Sequence, residues 1–269
     1  MAHLLDIENI TVSYNRIPAL HHISVQLRCG SCVGLLGPNG AGKTTFIKAI
    51  AGLVPLETGR IRLHGQDVRA SARTVAYLPQ RGGIDWDFPL TVRGLVEMGR
   101  YPALGLFGAF TAEDHRIVDD ALRVMRLTDY ADRHINALSG GQQQRAFLAR
   151  SWAQQAHVYL LDEPFNGLDK NSQRDLAEAL HHLAAGHKLV IVSHHHLETV
   201  PEIFDHVVMV NGELVAAGKT SEVFTPEKVA ETFSMEVFSE AAAARGGHGH
   251  GKGHKHDAGA GPGAVVSSK

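Results

Sequence analysis

The run Val33-Gly34-Leu35-Leu36-Gly37-Pro38-Asn39-Gly40-Ala41-Gly42-Lys43-Thr44 narrows the choice of folds more than any other part of this 269-residue chain. Val33–Leu36 is short and apolar throughout, as a strand buried on both faces of a parallel sheet must be. The glycines that follow let backbone N–H groups converge on phosphate oxygens. Thr44 to Ala51, closed by Gly52, then continues as a helix whose positive end faces the same point. Strand, G-x-x-x-x-G-K-T and helix in that order is the setting in which such a loop holds a nucleoside triphosphate: Lys43 reaches the β- and γ-phosphates, and the Thr44 hydroxyl, followed by Thr45, ligates Mg2+.

The rest of the chain supplies a sheet around that unit. Leu4–Ile7, Ile10–Val12 and Ile23–Leu27 read as short strands, the last with period-two alternation. Between Arg81 and Asn136 the pattern turns helical: Thr91 can cap a helix through Val92, Leu95, Val96 and Met98, and Glu113–Met125 reads as another. A helix follows Ser139. Then come strand Val158–Leu161, helix Ser172–Ala184, and strands Leu189–Val192 and Val207–Val210, an alternation that implies a mainly parallel sheet with covering helices. From Ala241 the composition shifts to alanine, glycine and histidine, which cannot bury enough apolar surface to order itself, so residues 241–269 are expected to form a flexible tail.

Composition excludes several classes. With a formal net charge of −2 there is no broad basic field for nucleic acid or anionic lipid. No apolar run approaches the roughly 18 residues that span a bilayer. The start, Met1-Ala2-His3-Leu4-Leu5-Asp6, lacks the pattern of a signal peptide, so a cytosolic chain is expected. Cys29 and Cys32 are spaced C-x-x-C but lead into a strand rather than capping a helix, which favours two small residues flanking a strand over a redox or metal pair.

Two further motifs carry chemistry. Val158–Leu161 ends in Asp162-Glu163, placing Asp162 at the C-terminal edge of the sheet, where it can hold the Mg2+ shell. Glu163 can orient or deprotonate an attacking water. Leu138-Ser139-Gly140-Gly141-Gln142 is a second glycine-rich turn opening a helix. One triphosphate has one γ-phosphate end, so two such loops suggest two chains sharing two nucleotides.

With Lys43, Asp162, Glu163 and Ser139–Gln142 in this order, the chain resembles the ATP-binding subunit of an ABC transporter over about residues 3–235. The resemblance implies an α/β phosphate-loop cassette spanning residues 1–240. Its mainly parallel core would carry an N-terminal antiparallel β subdomain and an inserted helical subdomain at about 81–150. It also implies that Tyr14 stacks on adenine, that Gln80 contacts Mg2+ and the attacking water, that the loop through Asp169 crosses to a second subunit, and that His194 is the histidine that meets the γ-phosphate. ATP bound on Gly37–Thr45 and Asp162 of one subunit would be closed over by Ser139, Gly140, Gly141 and Gln142 of the other. His195 and His196 follow where the family commonly has an acidic residue after that histidine, and a metal site at the triplet is a weaker alternative.

No Asn-Lys-x-Asp run supports a GTPase, and the stretch between Gln80 and Ser139 has no sustained heptads for a long coiled coil. The segment Gln80–Val92, with Trp86 and Phe88, followed by Met98-Gly99-Arg100-Tyr101, resembles the bacterial importers of zinc, manganese or iron. Trp86 and Phe88 would help form a groove for a permease helix. The expected system is a homodimer on the cytoplasmic face of the membrane, joined to a permease and an extracytoplasmic metal-binding protein. Alternatives are the ATPase of a siderophore or haem importer, or a soluble assembly or regulatory ATPase. In the tail, His248/His250 and His254/His256 can present imidazoles on one side of an extended chain, suited to Zn2+ or Ni2+ more than to Mn2+.

Overall fold

The computed structural model describes residues 4–70, 74–80, 90–105 and 108–233. It opens with β1 (Leu4–Tyr14) and β2 (Ile17–Arg28), an antiparallel hairpin. The two short strands expected before Tyr14 are one strand, bent where register slips between Ile7 and Ile10 and Asn9 turns to φ 50°. Then follow β3 (Ser31–Leu36), α1 (Lys43–Ile50), β4 (Thr58–Leu63), β5 (Gln66–Asp67) and β6 (Val75–Leu78). The helical stretch holds α2 (Val92–Glu97), α3 (Tyr101–Leu104), α4 (Ala112–Val124) and α5 (Gly140–Ala153). The last described part alternates: β7 (Val158–Leu161), α6 (Lys170–Ala185), β8 (Leu189–Ser193), α7 (Val200–Ile203), β9 (His206–Asn211), β10 (Glu213–Lys219) and α8 (Thr220–Val223).

These strands form two sheets. One is antiparallel, ordered β2-β1-β4-β5. The other runs β10-β9-β3-β8-β7-β6 and is parallel except for β10. The parallel sheet is buried on both faces, and strand alternation divides its side chains between two cores. Val33, Leu35, Leu189 and Ile191 pack toward α1 and the antiparallel sheet with Phe46, Ile47 and Ile50. Leu36, Val190 and Val192 pack on the opposite face with residues of α2, α4, α5 and α6. Each fully buried aliphatic side chain there contributes about 1.5–3 kcal/mol.

The helical layer is capped as its sequence implies. Thr91 Oγ1 accepts from Gly94 N at 3.1 Å, and Thr111 and Asp114 form a reciprocal capping box at the start of α4. Asp114 also accepts from Arg100 Nε at 2.9 Å, and Arg100 donates on to the Ala153 carbonyl at 2.8 Å, joining the start of α4 to the end of α5. The Thr111 hydroxyl and backbone N–H, and then Arg100, hold the Asp114 carboxyl down at about 2. Because the folded value lies below the unfolded one of about 4, this stabilisation is present above pH 4 and fades as pH falls toward 2. The gap in melting temperature between wild type and Asp114→Asn should therefore shrink between pH 5 and 2. A gap unchanged across that range would contradict the assignment.

Candidate active site

The glycine loop sits between β3 and α1 at the C-terminal edge of the parallel sheet, where ligands bind in open α/β folds. Gly42 adopts φ 91°, and a Cβ there would lie 2.5 Å from the Ala19 carbonyl oxygen, so only glycine lets β2 and the loop approach this closely. Lys43 is buried, with Nζ donating to the carbonyls of Gly37 and Pro38 at 2.7 and 2.8 Å, so its charge lies within the loop. Asn39, Gly40 and Thr44 are exposed, whereas Ala41 and Thr45 pack inward. Tyr14 is 47% exposed at the tip of the hairpin whose second strand carries Ala19 past Gly42.

Asp162 directly follows β7 but is not beside the loop strand, because β8 runs between β3 and β7. Ser193, the last residue of β8, bridges the gap. Its hydroxyl donates to Asp162 Oδ1 at 2.7 Å and accepts from the Glu163 backbone N–H at 2.7 Å. Both Ser193 and Asp162 are buried. Glu163 is left-handed at φ 49°, a conformation that costs a non-glycine residue about 1–3 kcal/mol. That turn brings Glu163 Oε2 to accept from Gln80 Nε2 at 2.8 Å. Gln80, Glu163 and Asp162, expected to work together from sequence, thus lie in one network. Ser193 has no part in the site expected from sequence, because its role depends on β8 lying between β3 and β7.

The histidine triplet corrects one expectation. His194 does not face the phosphate loop. Its backbone N–H still pairs with the Leu35 carbonyl, so strand alternation continues through it and puts its ring on the Val190/Val192 face. The residue is 3% exposed, its ring centroid 5.3 Å from those of both Phe165 and Phe204, with Nε2 2.8 Å from Thr199 Oγ1. Burial, then His196 and His195, pushes its pKa down to about 4, so it is neutral at pH 7. His195 is exposed, and its charge environment includes Glu163 and Lys43. Burial and His196 push its pKa down, Glu163 pushes it up, and Lys43 pushes it down again.

Ser139 caps α5. Its N–H donates to Gln142 Oε1 at 2.9 Å and its hydroxyl accepts from Gln142 N at 3.4 Å, leaving an exposed serine and two glycines at a helix N-terminus. Gly141 abuts α6: a Cβ there would lie 2.9 Å from Ser172 Cβ. Asp169 caps that same helix, accepting from Ser172 N at 2.9 Å and from the Ser172 hydroxyl at 3.1 Å. These bonds hold its carboxyl below the usual range.

The oxygen-rich set Thr44, Asp162 and Gln80 suits a hard cation that keeps water and phosphate ligands. Among the described residues, no group of three His, Cys, Asp or Glu side chains is placed to hold a metal alone, including at the histidine triplet. Cys29 and Cys32 are free thiols, both pushed upward in pKa first by burial, which is opposite to what a reactive thiolate needs. Trp86, Phe88 and the tail from Ala241 lie outside the described residues.

A glycine loop wrapped around a buried lysine, with an acidic strand end placed across one intervening strand, defines a nucleotide-binding cassette of the phosphate-loop class. The ABC transporter family matches residues 20–166, and the chain belongs to that family, as an ATP-binding and ATP-hydrolysing subunit. Among its relatives is the manganese transport system ATP-binding protein MntB of Bacillus subtilis (strain 168), 42% identical over 85% of this chain and 92% of that protein. The zinc transport system ATP-binding protein TroB of Treponema pallidum (strain Nichols) is 38% identical over 88% of this chain and 90% of TroB. A solved ATP-binding subunit of an ABC transporter superposes with a TM-score of 0.71 at 25% identity, covering 89% of this chain and 99% of that one.

Proposed function

We propose that this chain energises import of a divalent metal ion, manganese or zinc, through a membrane permease at whose cytoplasmic face it sits. The observation that carries this reading is its likeness, over most of both chains, to the ATP-binding subunits of manganese and zinc transport systems. No helix among the described residues is long and apolar enough to cross a membrane, and the ion's path is left to the permease. Met98 and Tyr101, 37% and 56% exposed, follow the Gln80 segment and would add to the permease-docking surface proposed for Trp86 and Phe88. An extracytoplasmic metal-binding protein completes the proposed system.

In this reading the Gly37–Thr45 loop binds the ATP phosphates, with Lys43 turning from the Gly37 and Pro38 carbonyls to the β- and γ-phosphates, and Tyr14 stacks on adenine. Thr44, Gln80 and Asp162 hold Mg2+, which when bound offsets phosphate charge. Ser193 fixes the Asp162 carboxylate and, through the Glu163 N–H, the turn that aims Glu163. Glu163, aligned by Gln80, takes the proton from the attacking water. His195, rather than His194, meets the γ-phosphate. Ser139, Gly140, Gly141 and Gln142 of a second copy, with its Asp169 turn, close the site, so that ATP joins a homodimer.

The reading is tested by reconstituting the chain with its permease and binding protein in liposomes. ATP-dependent uptake of Mn2+ or Zn2+ is expected, together with ATPase stimulation of several-fold by the loaded binding protein. ATP turnover indifferent to the permease, with no uptake, would overturn it in favour of a soluble ATPase.

A further inference from the structure

His194 is a buried titratable side chain that the hydrolytic scheme leaves unused, yet its surroundings are specific. On one side its ring meets Phe165 edge-on, and Phe165 lies two residues past Glu163, buried in the turn leading to Asp169. On another it meets Phe204, which precedes β9. The Thr199 hydroxyl donates to the His196 carbonyl at 3.0 Å, so at 2.8 Å it accepts from His194 Nε2–H. The ring therefore closes a loop of contacts around residues 194–199, and His195 projects from the middle of that loop. With the backbone of His194 still in the sheet, bonded to Leu35 one residue before the end of β3, the loop has one fixed end and one hydroxyl-anchored end.

We propose that His194 is a positioning residue: clamped between Phe165 and Phe204 and bonded to Thr199, it sets the backbone from which His195 reaches the γ-phosphate and ties that backbone to the turn carrying Glu163. This deepens the reading that His195 meets the γ-phosphate, and it rests on that reading. A single neutral ring joins the two segments that must move together when phosphate leaves. The hydrogen bond supplies direction as well as packing, because the two phenyl rings alone would leave the ring free to rotate.

The test uses the full-length chain and steady-state MgATP turnover. Thr199→Val keeps the side-chain volume and removes the hydroxyl, with both its acceptance from His194 and its donation to the His196 carbonyl, and His194→Phe keeps an aromatic ring between Phe165 and Phe204 while sparing the Thr199–His196 bond. Each should lower kcat about ten-fold while KM for ATP stays within two-fold, and Thr199→Ser should restore kcat. Because the two groups act as one bond, the double variant should be no slower than either single variant. A purely structural role is separated by the His195→Ala background: there Thr199→Val should leave the residual rate unchanged. Thr199→Val with wild-type kcat, or the same further ten-fold loss with His195 absent, would overturn the proposal. If instead His195→Ala itself turns over like wild type, the underlying assignment of His195 fails, a result distinct from failure of the His194–Thr199 link.

Discussion

Glu163→Gln should bind ATP normally and hydrolyse it 10²–10⁴-fold more slowly, about the range expected when a positioned general base is removed. Glutamine keeps an acceptor oxygen for Gln80 Nε2 and nearly the same shape, so the left-handed turn and the Ser193 bonds to Asp162 and to the backbone N–H should survive. What is lost is the ability to take a proton. With cleavage blocked and ATP still bridging two copies, the variant should accumulate as an ATP-dependent dimer in size-exclusion chromatography, whereas wild type returns to monomer as ATP is consumed. Wild-type turnover by Glu163→Gln would remove Glu163 from its role.

Ser139→Ala carries the second large effect, and it falls on the partner. Loss of one preorganised donor to the γ-phosphate should lower hydrolysis by about 10²-fold. ATP binding by isolated monomer should stay within two-fold, because Ser139 lies at the start of α5, on a different element from the phosphate loop. Losing the cap also costs about 1 kcal/mol of stability. Ser139→Asp separates the two consequences: it retains a cap but sets a negative charge against phosphate, and should be as inactive as alanine. Mixing Ser139→Ala with Lys43→Ala chains pairs an intact phosphate loop with an intact Ser139 and should restore activity that neither variant shows alone. Failure of ATP binding in the Ser139→Ala monomer would overturn the shared site.

The motif-bearing elements were legible because each combines local signals. The β3–loop–α1 unit, the strand Val158–Leu161 and the caps Thr91 and Ser139 all follow from periodicity, glycine geometry and side chains that bond their own backbone neighbours. β4, β5, β6 and β10 are absent from the expected strands. Val75–Leu78 is only four residues long and owes its place to pairing with β7, while β10 is half-buried between two exposed ends and is held by β9. Strand β8 itself was legible, but its place between β3 and β7, which brings Ser193 to Asp162, was not, since strand order is a long-range property that no local window contains. The histidine assignment is different, for the information was present. Alternation along Leu189–Ser193 places even-numbered residues on the helix-covered face away from α1. Following that parity one residue past the strand assigns His194 to the core and leaves His195 as the candidate.

The contact between Gly141 and Ser172 has a mechanical meaning in the proposed two-chain assembly. Ser172 is tied to Asp169, and Asp169 lies a short turn from Glu163 of the same chain. The surface a chain lends to its partner's nucleotide therefore abuts the helix that begins beside its own reactive carboxylate, with no slack of a side chain between them. In that assembly, movement of the turn carrying Glu163 would reach the Ser139–Gln142 surface through Asp169 and Ser172, so the two nucleotide sites would share one rigid link.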